Sequence, residues 1–134
     1  MNESEKLSQL LYAPGEVMPG VGITAEQARE RMEIICHKSW TPYCVVSDWI
    51  WIDLVMTERE KKFSQVLGQQ PVMLYAYYVI FDSELRLQVG DWVRTSLLVS
   101  FSEDCFFQTL NTLYVLVGEG VRKQAELSTV MSLR

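Results

Sequence analysis

The chain has 134 residues, 49% hydrophobic and 22% charged, a composition that predicts one globular domain over residues 1–134 and excludes a disordered polypeptide. The formal net charge is −5, whereas a protein that binds nucleic acid needs an excess of basic residues to neutralise phosphates. Nucleic acid is therefore an unfavourable partner. The longest apolar run, Val72 to Phe81, is too short to cross a bilayer as a helix, and three cysteines without a CxxC pair indicate a reducing compartment. With no signal-peptide pattern at the N-terminus, these features predict a cytoplasmic protein without a membrane span.

The N-terminal segment, residues 1–22, is predicted to be partly irregular. A short helix over Ser4–Tyr12 would place three leucines on one side, whereas two prolines and three glycines make Ala13–Gly22 a loop. The longer elements are therefore expected to begin after this segment.

Two capping boxes predict two helix starts. In the first, Thr24 accepts from a backbone N–H and Gln27 reaches back, so a helix begins here and is expected to end near Lys38. Apolar residues recur at helical spacing along it, which is typical of a helix that packs on a core. A second box at residues 57–60 opens a short helix that stops at Gly68.

Beta-branched and aromatic runs predict strands in the remainder of the chain. One strand follows Pro42 in "YCVVSDWIWIDL", and Val72–Phe81, apolar on both faces, is expected to be central. Because short turns join the strands, antiparallel pairing is predicted. The predicted fold class is α+β, with N-terminal helices packed on a curved antiparallel sheet of about five strands. The later strands are expected at 85–89, 93–101, 106–117 (bent near Asn111) and 124–131.

The segment Gly90–Phe101 contains two candidate partner-binding residues. With a period of two, Trp92 and Arg94 lie on its less apolar face, and both residue types are enriched at interface hot spots. The simpler interpretation carries more weight: the indole covers a sheet edge and the guanidinium pairs with a nearby acid.

Trp51 is the third candidate for partner binding. It shares one strand face with Trp49, while Ile50 and Ile52 share the other. If one of these faces is buried, the other would form an exposed apolar strip, a feature that marks partner-binding surfaces.

Candidate catalytic groups are few. Asp48 and Asp53 flank the "WIWI" run, but at this spacing in a continuous strand they point to opposite faces and cannot act on one substrate. His37, the single histidine, stands with Cys36 and Cys44 in a pattern that lacks the paired short spacings of a zinc site. No phosphate-binding, metalloprotease or nucleophile-elbow motif occurs. We therefore expect no catalytic residue, no metal site and no cofactor.

Four strings resemble a family of small uncharacterised proteins of pseudomonads and their prophages. They are "VVSDWIWIDL", "QPVMLYAYYVIFDSE", "GDWVRTSLLVSF" and "NTLYVLVGEGVRK", and the similar region runs from about Tyr43 to Met131. No activity comes with this resemblance, so no catalytic residue is transferred. It implies a bacterial or phage accessory protein, cytosolic and without an essential metabolic role.

The sequence thus predicts a non-enzymatic protein-interaction module. It would bind and inhibit or modulate a bacterial protein, such as a defence or nucleic-acid-handling factor, or act as a toxin immunity protein. The acidic surface would engage a basic patch on the partner, with Trp and Arg side chains as anchors. The alternative is a small hydrolase or transferase that uses Cys44 or Cys105 with His37. A nucleic-acid binder ranks third, and a homo-oligomer is compatible with these features.

Overall fold

The computed structural model describes residues 2–39 and 41–133, and for 35–39 it describes the backbone alone. Within this part of the chain the helices and strands form an α+β fold, which confirms the predicted class. The helices are α1 (Glu3–Tyr12), α2 (Ala25–Ser39), α3 (Glu58–Val66) and α4 (Leu127–Met131). The strands are β1 (Glu16–Met18), β2 (Tyr43–Val55), β3 (Val72–Asp82), β4 (Val93–Arg94), β5 (Ser100–Ser102), β6 (Phe106–Gln108), β7 (Leu113–Leu116) and β8 (Gly120–Glu126).

The strands form one mixed sheet centred on β2. On one side β2 pairs antiparallel with β3, which in turn pairs with β4. On the other side β2 runs parallel to β7 along its first half and to β8 along its second half. Strands β6 and β5 extend the sheet beyond β7, and β1 extends it beyond β8. The prediction of purely antiparallel pairing is therefore wrong, because the parallel partners of β2 are distant in sequence and turn length does not reveal them.

Both predicted capping boxes are confirmed. The amide of Gln27 donates to Thr24 Oγ1 at 3.1 Å, and the Thr24 amide donates to Gln27 Oε1 at 3.0 Å. At α3 the corresponding distances between Thr57 and Glu60 are 3.2 and 2.8 Å. These contacts satisfy backbone donors that the first helical turn leaves unpaired, which is why both helices begin where the local sequence predicts.

Two predicted strands are interrupted by side chains that bind the backbone. Residues 85–89 form a turn instead of a strand, because the buried carboxylate of Asp82 accepts from the amides of Arg86 and Leu87 at 3.0 Å each. The strand predicted over 93–101 breaks after Arg94, where the Leu74 amide donates to the hydroxyl of Thr95 at 2.9 Å. In both places a local side chain competes with the regular ladder.

The order of strands and turns differs from the prediction at three further points. A turn closed by Thr109 and Thr112 separates β6 from β7, close to the predicted bend at Asn111. Strand β8 ends at Glu126, and the residues predicted to continue it form α4. The predicted N-terminal loop contains the short strand β1, which pairs with β8.

Strand β2 is distorted at its middle, where its parallel neighbour changes from β7 to β8. Asp48 has a φ of 53°, and Gly118 in the facing connection has a φ of 74°. Just beyond, the Trp49 ring lies against Gly120 so closely that a Cβ there would be 2.3 Å from two ring carbons. The absence of a side chain at Gly120 is therefore what allows the largest fully buried residue to pack into the sheet.

Both faces of β2 are covered. Trp49 and Trp51 pack with Phe107 in a core on one face. Ile50 and Ile52 pack on the other face in a core to which α1 and α4 contribute, through Leu10 and Val130 among others. A third core lies under α2, which buries Ala28 and Met32. Helices α1 and α3 each bury a single residue, but that residue is the apolar Leu10 in α1 and the small, polar Ser64 in α3.

Candidate protein-interaction surface

Trp92 lies immediately before β4 and stacks on Tyr75 of β3. The ring centroids are 5.6 Å apart with an interplanar angle of 23°, and Tyr75 also meets the edge of Tyr77 at 5.0 Å. Stacking of this kind agrees with the simpler interpretation, in which the indole covers part of the sheet edge. The side chain nevertheless stays 40% exposed, so it presents aromatic surface to solvent.

Arg94 binds the end of α4. The prediction that its guanidinium pairs with a nearby acid is therefore wrong. Its Nη1 donates to the carbonyl oxygens of Val130, Met131 and Leu133 at 3.3, 2.9 and 3.1 Å. These carbonyls belong to the last turn of the helix and the residues beyond it, where intrahelical amide donors run out. The Val130 carbonyl also accepts from the Leu133 amide at 3.1 Å. The positive charge also complements the negative end of the helix dipole. Arg94 thus holds α4 against β4, and its role in partner binding remains a prediction.

A groove runs beside α3, and its walls are mostly apolar. Phe63 and Val66 project from α3 with 73% and 84% of their surface exposed. The groove is also lined by Leu97, which precedes β5, and by Leu127, at the start of α4. The groove has a volume of about 610 Å³. Its lining residues are Met56, Arg59, Glu60, Lys62, Phe63, Ser64, Val66, Gln69, Leu97 and Leu127.

The exposure of Phe63 and Val66 is unusual for a helix of this kind. The two residues are three positions apart and share one side of α3, which an amphipathic helix normally buries. Here the buried residue is the small, polar Ser64, whose hydroxyl donates to the Lys61 carbonyl at 2.8 Å. Sequence reasoning identified the helix but did not predict that these two side chains are exposed. Large exposed apolar residues beside a groove are characteristic of contact surfaces.

A second hollow of about 440 Å³ continues this groove and is lined in part by Arg94, one of the predicted partner-binding residues. The two share Gln69, Leu97 and Leu127, and Arg94 and Met131 line the second alone. Trp92 lies two residues before Arg94 along the chain. We call the groove and its continuation the α3–α4 groove; the structure thus brings Arg94 to one end of it and places Trp92 near that end.

Trp51 is buried, and the predicted exposed apolar strip on β2 is wrong. Only 7% of Trp51 is exposed, and its ring meets the edges of Phe101 and Phe107 at 4.9 and 5.5 Å. Its indole N–H donates to Asp53 Oδ1 at 3.2 Å. The strip is absent because helices cover one face of β2 while strands β5 to β7 curl over the other. A pattern of alternating residues cannot show that both faces are covered.

The two aspartates on β2 have separate roles. Asp53 pairs with Arg122 on the adjacent β8, with an Nη2–Oδ1 distance of 3.0 Å. Asp48 accepts from the Ser47 hydroxyl at 3.4 Å, at the point of positive φ. The structure does not bring the two carboxylates together over a common substrate position.

The described cysteines lie in the core. Cys44 and Cys105 are both fully buried, and burial, reinforced by the nearby Asp82 charge, raises the pKa of the Cys44 thiol to about 12. Burial likewise raises the pKa of Cys105. Since a thiolate is the nucleophile in cysteine chemistry, both thiols are held in the unreactive form at neutral pH. The side chains of Cys36 and His37 lie outside the described residues.

The described chain contains neither a cluster of metal ligands nor a helix suited to span a membrane. Among those residues no group of three or more His, Cys, Asp and Glu side chains lies close enough together to hold a metal ion. None of the helices in that part of the chain combines the length and apolar character that a membrane span requires.

One family model matches residues 19–132, the region that contains β2 to β8 and α2 to α4. Its description is a domain of unknown function, DUF6957. No curated protein and no solved structure is similar enough to this chain to count as a match. The prediction of an uncharacterised domain family is therefore confirmed at the level of the family: the chain belongs to the DUF6957 family.

Proposed function

We propose that this protein is a non-enzymatic interaction module that binds a bacterial protein through the α3–α4 groove and inhibits or modulates it. The observation that carries the proposal is the exposure of Phe63 and Val66 beside the groove. Burying a side chain of this kind contributes about 1.5–3 kcal/mol, so a partner that covers both gains substantial affinity. Trp92 and Arg94 would add an aromatic and a cationic contact near the far end.

The setting we propose is the cytoplasm of a bacterium, with the protein acting as a phage or prophage accessory factor. The resemblance of four sequence strings to proteins of pseudomonads and their prophages supports this setting. The target would be a defence factor, a nucleic-acid-handling factor or a toxin that the protein neutralises. Each of these roles requires a stable complex and no chemistry.

Burial of Cys44 and Cys105 supports this proposal over a thiol-dependent hydrolase or transferase. A nucleophile must reach its substrate as a thiolate, whereas both of these side chains are fully enclosed and hold their protons more tightly than a free thiol.

The proposal is tested by affinity capture from pseudomonad lysates, with native mass spectrometry of the eluate. The baits are the wild type, the double variant Phe63→Ser/Val66→Ser, and Ile34→Ser as a control. Ile34 is an exposed apolar residue of α2, 70% accessible, and it is not part of the groove. We expect one stoichiometric protein with the wild type and the control but not with the double variant. Equal capture by all three baits would exclude the groove as the binding surface. Empty eluates from every lysate would contradict the proposal that the protein is an interaction module.

A further inference from the structure

The charges along the α3–α4 groove are opposite in sign to the charge of the chain as a whole. Arg59 and Lys62 line the groove beside Phe63, and neither makes an ion pair with any residue that the structure describes. Lys61, which does not line the groove, is instead paired with Glu58 at 3.6 Å. The two lining cations are therefore available to a partner.

The one carboxylate of the groove is already engaged. Glu60 Oε1 accepts from the Thr57 amide at 2.8 Å as part of the capping box. At the other end Arg94 adds a third cation, directed at the carbonyls of α4. The groove thus carries three cations to one carboxylate in a chain whose net charge is −5. Salt screens charges beyond about 8 Å under physiological conditions, so a bound segment responds to this local balance more than to the total.

The walls of the groove favour a helix as the bound segment. Phe63 and Val66 come from one helix, Leu127 from another, and Leu97 from the connection between β4 and β5. The contact surface therefore consists of projecting side chains, whereas recognition by strand addition uses the hydrogen-bonding edge of a strand. Apolar side chains at i, i+3, i+4 and i+7 of a helix fill such a groove by ridge-and-groove packing.

From these observations we infer that the α3–α4 groove binds an amphipathic helix whose apolar stripe is flanked by acidic residues. This inference rests on the proposed function and names the class of partner segment. It differs from the expectation that an acidic surface of this protein meets a basic patch, because the charges that border the groove are Arg59 and Lys62.

Two synthetic helical peptides test the inference. Both have about 18 residues, or five turns, and the same leucine stripe; one carries glutamates on its flanks and the other lysines. Fluorescence anisotropy with the full chain measures each Kd at low and high salt. We expect the glutamate peptide to bind at least about fivefold more tightly than the lysine peptide, with the difference lost at high salt. A preference for the lysine peptide, or none at low salt, would overturn the inference.

Charge-reversal variants assign the preference to the groove. In Arg59→Glu/Lys62→Glu the preference should reverse, whereas Lys61→Glu, outside the groove, should keep it. All three residues are exposed, so folding of the variants is checked by circular dichroism and the salt dependence of the wild type provides an independent readout.

The same peptides separate this inference from the proposed function. If both peptides bind equally and Phe63→Ser/Val66→Ser abolishes binding, the groove remains a docking surface and only the acidic preference is wrong. If neither peptide binds, or the double variant binds both as the wild type does, the groove is not a docking surface and both proposals fail.

Discussion

Arg94 Nη1 donates to the carbonyl oxygen of Met131 at 2.9 Å, and so ties β4 to the C-terminal end of α4. The same nitrogen reaches Val130 and Leu133, so one guanidinium group donates to three carbonyls at the end of the short helix. This places a residue that the sequence singles out for partner binding in a structural role, at one end of the groove. This contact, together with the burial of Val130 in the core, holds α4 and with it the part of the groove that Leu127 lines.

Replacing Arg94 by alanine should lower the free energy of unfolding by about 1.5–3 kcal/mol, the range for hydrogen bonds to a charged group. Denaturant titration measures this loss, and hydrogen exchange should show faster exchange in α4. Arg59→Ala is the matched control, because Arg59 is exposed on α3 without an ion pair in the described chain, and it should change stability by less than about 0.5 kcal/mol. Equal effects of the two substitutions would contradict the role of Arg94.

Gly120→Ala should destabilise the fold by about 1–3 kcal/mol or more, because the added Cβ overlaps the Trp49 ring and its carbonyl oxygen. Gly22→Ala is the control, since a Cβ there meets no atom within 4 Å and its backbone is not in the left-handed region. That change should be neutral or slightly stabilising, because alanine restricts the unfolded chain. Thermal melts of the two variants compare them directly. Similar melting temperatures would show that Trp49 does not require a glycine opposite it.

The Cys44 thiol should make stability fall at alkaline pH. Its folded pKa of about 12 exceeds its ordinary value of 9.0, so between these values the unfolded chain releases a proton that the folded chain keeps. Stability is therefore complete below about pH 9 and declines above it, by at most about 1.4 kcal/mol per pH unit for one thiol.

The measurement is the slope of unfolding free energy against pH, from about pH 9 to 10.5, for the wild type and Cys44→Ala. Burial also raises the pKa of Tyr75 and Tyr114, but the wild type and Cys44→Ala both contain these tyrosines. The difference between the two slopes therefore reports on Cys44. The variant should give the shallower slope. Parallel curves would mean that Cys44 titrates alike in the folded and unfolded states.

Removing the ring of Phe63 should affect stability far less than removing the ring of Phe107. Phe63 is 73% exposed, so Phe63→Ala should alter the free energy of unfolding by less than about 0.5 kcal/mol. Phe107 is fully buried against Trp51, and Phe107→Ala should cost about 3–5 kcal/mol. Urea titration distinguishes the two. A large loss of stability in Phe63→Ala would show that this side chain serves the fold and would remove the main support for the groove.

Much of the secondary structure could be predicted because it depends on neighbours in sequence. The capping boxes at Thr24 and Thr57 contain both partners of each hydrogen bond within four residues, and the helix starts are where these pairs predict them. The runs that became β2 and β3 are β-branched and aromatic, a composition that favours strands wherever the chain places them. The prediction failed where one side chain redirects the backbone, as Asp82 does for the turn that follows it.

The α+β class, the starts of α2 and α3, and the two long strands follow from composition or from contacts between near neighbours in the chain. The parallel pairing of β2 with β7 and β8, the burial of Trp51 beside the exposure of Phe63, and the binding of Arg94 to the end of α4 arise from long-range contacts. Each of these depends on segments tens of residues apart meeting in space. No local pattern of hydrophobicity encodes which segments will meet, because burial is a property of the assembled core.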